Sequence, residues 1–128
     1  MCVSVTATLV VVLAVSGCGD KGDDSKLSAT HSVGGLTGSE LFSQKCVQCH
    51  GTNVTIGPSL RSVYGREAGS LPGFEYSDAI RHSNIKWDRE NLILLMLDPQ
   101  GLMPGINMID SNLDQEGADL IVNHLERL

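Results

Sequence analysis

Aromatic residues are scarce in this chain of 128: two Phe, two Tyr and one Trp make up 4% of it. Few large rings are available to build a core. Basic residues are also few, nine against 15 acidic, for a net charge of −6. That balance leaves no electrostatic footprint for a phosphate backbone and excludes nucleic acid as a natural partner. No apolar run reaches the roughly 18 residues of a spanning helix, and the longest lies at the N-terminus. Alternating strand patterns are missing throughout, so an all-α fold is expected. Four cysteines are few for a disulfide scaffold, and their spacing is more informative than their number. Fourteen glycines and four prolines imply many turns. The length allows one domain.

Residues 1–17 (MCVSVTATLVVVLAVSG) hold no charged side chain and end in small residues, the pattern of an export signal. Val15-Ser16-Gly17-Cys18 resembles a bacterial lipobox. The resemblance implies that Cys18 is acylated and becomes the first mature residue; more than one acyl chain is what stable anchoring requires. No Lys or Arg precedes the apolar run; either the amine of Met1 serves, or translation begins further upstream. Residues 18–37 are then a lipid-anchored tether of Gly, Ser, Asp and Lys with little to bury. Its 19 residues after Cys18 span roughly 24 Å as a flexible coil. Residues 38–128 form the globular domain, with seven basic and 12 acidic residues. A domain of this size is helped in folding by a bound cofactor or metal.

Cys46-Val47-Gln48-Cys49-His50 is the CxxCH pattern of c-type haem attachment. Two thiols on one helical turn add to the two vinyl groups of one porphyrin, and the adjacent His50 supplies the proximal ligand. Three other chemistries compete for such a pair. A redox dithiol needs a βαβ setting, which is not visible. A zinc site needs a second Cys or His pair, and no other CxxC exists. A disulfide is open to any exported chain. One motif implies one haem.

For the sixth ligand the sequence offers Met96, Met103, Met108, His82 and His124. Met108, in a loop poor in periodicity, can lay a soft thioether across the distal face. Met103 also precedes a Pro-Gly and competes with it. Met96 reads as core filler, and His82 and His124 read as solvent-facing. The predicted helices lie near Ser39–Cys49, near Ser77–His82, from an Asp88 cap through Leu97, and from Asn112 or Asp114 to Arg127. Asp98-Pro99 stops the third. Leu120, Ile121, His124 and Leu125 form the face of the last helix toward the first.

Residues 38–128 resemble the class I cytochromes c, in the mitochondrial-like branch. Gly38 and Phe42 precede the motif as in that family, where they pack the first helix against the last. Gly57-Pro58-Ser59-Leu60 is similar to the stretch whose proline carbonyl, here Pro58, accepts a hydrogen bond from the proximal histidine. Gly65-Arg66 and Pro72 to Ala79 follow the pattern that encloses the haem propionates, which implies Arg66, Tyr76 and Trp87 as contacts. Pro104-Gly105-x-x-Met108 matches the axial-methionine loop and selects Met108. The implied fold is three to five short helices around one covalently bound haem.

Departures from the family carry expectations of their own. The loop from His50 to Pro58 is shorter, which leaves that haem edge less covered. Leu95 and Ile80 replace a tyrosine and an asparagine beside the sulfur, giving a drier pocket. Gln100, Gly101 and Asn107 stand where basic residues are usual, while Lys45 remains. The partner surface is therefore expected to be apolar or weakly basic, with the tether supplying effective concentration. Nothing in the sequence marks a nucleophile or paired carboxylates, so no enzymatic activity is expected. The expected function is transfer of single electrons between respiratory partners outside the cytoplasmic membrane, by a monomer anchored in a bacterial envelope and facing the periplasm or cell exterior. The alternative is a haem-based gas-binding or sensing module whose Met108 is labile.

Overall fold

Thr37 begins the first helix, α1 (Gly38–Lys45), through a capping box: the Glu40 N–H donates to Thr37 Oγ1, and the Thr37 N–H donates to the Glu40 carboxylate at 2.8 Å. The structure, a computed structural model, describes residues 34–53 and 56–128. The expected signal, Cys18 and most of the tether lie outside the described residues. Leu36 packs against the core, so the folded unit takes in Leu36 and Thr37, which composition alone assigns to the tether. The helix predicted over Ser39–Cys49 is divided at Cys46, where φ of −110° interrupts the run before α2 (Val47–His50). The His50 N–H still donates to the Cys46 carbonyl at 2.8 Å, which keeps the CxxCH residues on one turn.

Residues 51–77 contain no helix among the described residues. Backbone pairing gives this stretch its shape. Glu67 and Lys86 form an isolated antiparallel bridge. Beside it the Trp87 N–H donates to the Arg66 carbonyl and the Gly65 N–H to the Trp87 carbonyl, both at 2.8 Å. Helix α3 (Asp78–Arg81) follows; Ser77 stands at its N-cap without a capping side-chain bond.

Asp88 caps α4 (Arg89–Leu97) as expected, accepting the Asn91 N–H at 2.9 Å. Asp98 ends α4 before Pro99 and at once opens α5 (Pro99–Leu102), where its carboxylate accepts the Gly101 N–H at 2.8 Å. The last helix, α6 (Gln115–Leu125), is capped by Asp114, which accepts the Gly117 N–H at 2.8 Å. Asn112 is no part of it, having φ of 50°. The all-α expectation holds: the described residues contain six helical segments and no strand. The split at Cys46 and the turn of helix after Pro99 account for the number.

The core joins α4 and α6 to the loop between α5 and α6, with Leu92, Met96, Met103, Ile106, Ile121 and Val122 buried. Arg89 clasps the two helices, donating to Asp119 at 3.0 Å, Asn123 at 2.5 Å and Glu126 at 2.9 Å. Helix α1 crosses α6 at Gly38, where a Cβ would lie 2.1 Å from the Leu120 carbonyl oxygen. Backbone on backbone cannot give way locally, so Gly38→Ala is expected to cost about 3 kcal/mol, at the upper end for overpacking. Urea unfolding of the haem-loaded protein measures this; an unchanged midpoint would contradict the packing. His124 is corrected by the same crossing. Its ring is half-buried on Phe42, with centroids 5.0 Å apart, and does not face solvent. Desolvation, aided by the charge of Arg127, holds its pKa below the usual histidine range.

Candidate haem site

Helix α2 presents His50 with one nitrogen already engaged. His50 Nδ1 lies 2.8 Å from the Pro58 carbonyl oxygen. A carbonyl can only accept, so Nδ1 carries the proton and the Nε2 lone pair is left for a metal. Gly57 makes this approach possible. A Cβ there would stand 2.6 Å from His50 Cε1 and 2.7 Å from Nδ1, and the Gly57 N–H donates to the Cys49 carbonyl at 2.9 Å. Any side chain at 57 would push the histidine off its acceptor. The sequence shows Gly57 only as part of a motif; the close approach that demands it is visible in three dimensions alone.

Cys46 and Cys49 are free thiols. Burial pushes Cys46 up to about 11, and neighbouring Cys49 adds to the rise. Redox-active CxxC pairs have the opposite character, with a thiol pKa lowered toward neutrality. Among the described residues no group of three or more His, Cys, Asp or Glu is placed to hold a metal ion, which also removes a zinc site there. Two unpaired thiols on one turn beside a pre-oriented imidazole suit thioether attachment.

Next to α2 opens a cleft of about 570 Å³ whose lining includes Gly51, Gly57, Ser59, Leu71 and Phe74. Arg66 is anchored behind it, donating through Nη2 to the Ser59 carbonyl at 3.1 Å and through Nη1 to the Arg61 carbonyl at 3.2 Å. Two buried side-chain atoms among the described residues have no hydrogen-bond partner, Arg66 Nε and Ser77 Oγ. Buried donors are normally satisfied, so these two suit a group bearing carboxylates. Ser77 was not singled out by the sequence, since one hydroxyl in a turn carries no signal. Trp87, only 6% exposed, is joined to Arg66 through the backbone pairing. Tyr76 is half-buried and packs edge-on against Phe74, with centroids 4.9 Å apart.

The methionines separate by burial. Met96 is core, as expected, and Met103 is core too, at 5% exposure. Met108 is half-buried at the margin of the core. The Met103 carbonyl accepts the Ile106 N–H at 3.1 Å, closing a turn over Pro104-Gly105. Gly105 has φ of 89°, the left-handed conformation that a type II turn requires of its third residue. Beyond Met108, Ser111 Oγ donates to the Met96 carbonyl at 2.8 Å. His82 is exposed, its Nδ1 2.9 Å from the Asp78 carbonyl oxygen, and Leu95 is buried.

Two unpaired thiols one turn apart, together with buried donors suited to carboxylates, fit a porphyrin bearing two vinyl groups and two propionates. The fold and site therefore define a c-type haem protein. Residues 36–128 match the cytochrome c family. The chain is 38% identical over 90 residues to cytochrome c type-1 of Ascaris suum, covering 66% of this chain and 80% of that one. It is 40% identical over 90 residues to the cytochrome c of Theileria annulata, covering 66% and 77%. A solved structure of cytochrome cH from Methylobacterium extorquens superposes with a TM-score of 0.66 at 31% identity, over 71% of this chain and 95% of that one. The chain belongs to the cytochrome c family. It carries one haem c, attached through Cys46 and Cys49, and its function is electron transfer.

Proposed function

We propose that this protein shuttles single electrons between respiratory partners outside the cytoplasmic membrane, and that His50 and Met108 would hold the haem iron. The observation that carries the reading is the 2.8 Å contact between His50 Nδ1 and the Pro58 carbonyl. It fixes the tautomer and the ring plane, and it raises the basicity of Nε2. The bound haem supplies the ferric–ferrous couple. The Met108 thioether would be the second side chain to hold the iron, and a thioether favours the reduced form relative to a second histidine. Pro58, Arg66, Ser77, Tyr76 and Trp87 hold the cofactor's periphery, and the buried Leu95 keeps water from the sulfur. A site filled on both faces and braced in this way changes little between oxidation states. Slow rearrangement is thereby removed from the transfer step.

Partner docking uses apolar contact near the attachment helix and the methionine loop. Val47 of α2 is 40% exposed and Ile109 is 76% exposed, while the basic residues common at neighbouring positions are replaced by Gln100, Gly101 and Asn107. Residues 1–17 act as the export signal. Acyl chains on Cys18 hold the monomeric domain to the bacterial envelope, and the tether keeps its concentration near a partner high.

The full-length, haem-loaded protein tests this by membrane fractionation and voltammetry together. Wild type is expected in the membrane fraction and Cys18→Ala in the soluble one. Both should give the same reversible one-electron wave, unaltered by peroxide. A peroxide-driven catalytic current would move the protein to enzymatic chemistry, and a soluble wild type would remove the anchor.

A further inference from the structure

The segment that replaces the family's basic residues does structural work at the methionine loop. The Gln100 side chain reaches across the Pro104-Gly105 turn with both ends of its carboxamide. Its Nε2 donates to the Ile106 carbonyl at 2.7 Å, and its Oε1 accepts the Gly105 N–H at 3.1 Å. The turn's own bond, from the Ile106 N–H to the Met103 carbonyl at 3.1 Å, lies beside these two. Gln100 is held in place because it belongs to α5, whose start is fixed by Pro99 and by the Asp98 cap. Met108 follows the clamped residue Ile106 by two positions, and Ile106 is itself buried.

We propose that Gln100 is a positioning residue for Met108, clamping the loop so that the thioether is not displaced from the iron by external ligands. The proposal rests on Met108 being the axial ligand. Releasing the methionine by swinging the loop would break the turn's one backbone bond, from the Ile106 N–H to the Met103 carbonyl, and the carboxamide adds two hydrogen bonds to the closed form alone. A lysine at position 100 has a donor for the Ile106 carbonyl but no acceptor for the Gly105 N–H. Glutamate has the acceptor and lacks the donor. Only an amide of this length satisfies both groups.

The test is equilibrium binding of imidazole to the ferric, haem-loaded protein at neutral pH, read with the far-red sulfur-to-iron charge-transfer band. With two neutral hydrogen bonds removed, Gln100→Ala should bind imidazole about tenfold more tightly than wild type, while showing the band when imidazole is absent. Gln100→Glu, which keeps one of the two bonds, should fall between them. Arg89→Ala controls for loss of global stability, since Arg89 clasps α4 to α6 away from this turn; it should melt earlier with imidazole affinity unchanged. Wild-type affinity in Gln100→Ala overturns the clamp. So does an equal rise in Arg89→Ala, which would make the effect one of general loosening. A wild type without the band overturns methionine ligation itself, and the clamp falls with it; the band is read first, so the two failures are distinct.

Discussion

A Cys46→Ala, Cys49→Ala double variant should be largely unfolded under conditions where the wild type is fully folded. The helices explain why. The longest, α6, has 11 residues, α4 has nine and α1 eight, and the others have four each. Helices shorter than roughly 12 residues are marginal in water and depend on tertiary packing. That packing is concentrated where α6 meets α1 and α4, while residues 51–77 hold no helix and line a cleft. Arg66 Nε and Ser77 Oγ are left buried without partners, at a cost of about 1–3 kcal/mol each when nothing satisfies them. Covalent attachment would tie α2 to the remainder of the fold and bring carboxylate acceptors to these donors. Far-UV circular dichroism and thermal melting decide the matter. A double variant with native ellipticity and a cooperative melt would show that the polypeptide core suffices alone.

The second large effect separates two methionines. Met108→Ala should lose the far-red charge-transfer band, become high-spin in the ferric state and bind carbon monoxide readily when reduced. Its stability should fall only modestly, because Met108 is half-buried at the edge of the core. Met103→Ala should do the reverse. Truncating a methionine that is 5% exposed costs about 2–5 kcal/mol, yet the band and the resistance to carbon monoxide should survive. The reverse pattern would assign the ligand to Met103 and place Met108 among the packing residues.

Legibility in the sequence followed the range of the interactions. The CxxCH motif is local, and its chemistry could be read directly. The cap at Asp88 and the stop at Asp98-Pro99 are local as well, and the structure places them as read; of the two starts open for the last helix, Asp114 is the cap. The nearness of Arg66 to Trp87 came only from resemblance to the family. It depends on one isolated bridge and three backbone hydrogen bonds, too short to leave any period-2 trace. Gln100 was visible only as a missing lysine, because a side chain that clamps a turn leaves no pattern in composition. Gly57 and Gly38 stand where a Cβ would strike His50 and the last helix, so their reasons lie in other segments of the chain. His124 was placed with solvent on residue type alone, although its spacing already put it on the face toward α1. The spacing was the better guide.

The most direct measurement is the absorption spectrum of the full-length, haem-loaded protein, ferric and ferrous, with and without carbon monoxide. A carrier closed by His50 and Met108 gives low-spin spectra, a far-red sulfur-to-iron band in the ferric form and no change on adding carbon monoxide at neutral pH. A high-spin spectrum, or a ferrous form that takes up carbon monoxide, would contradict that closure and direct the protein toward gas binding or sensing.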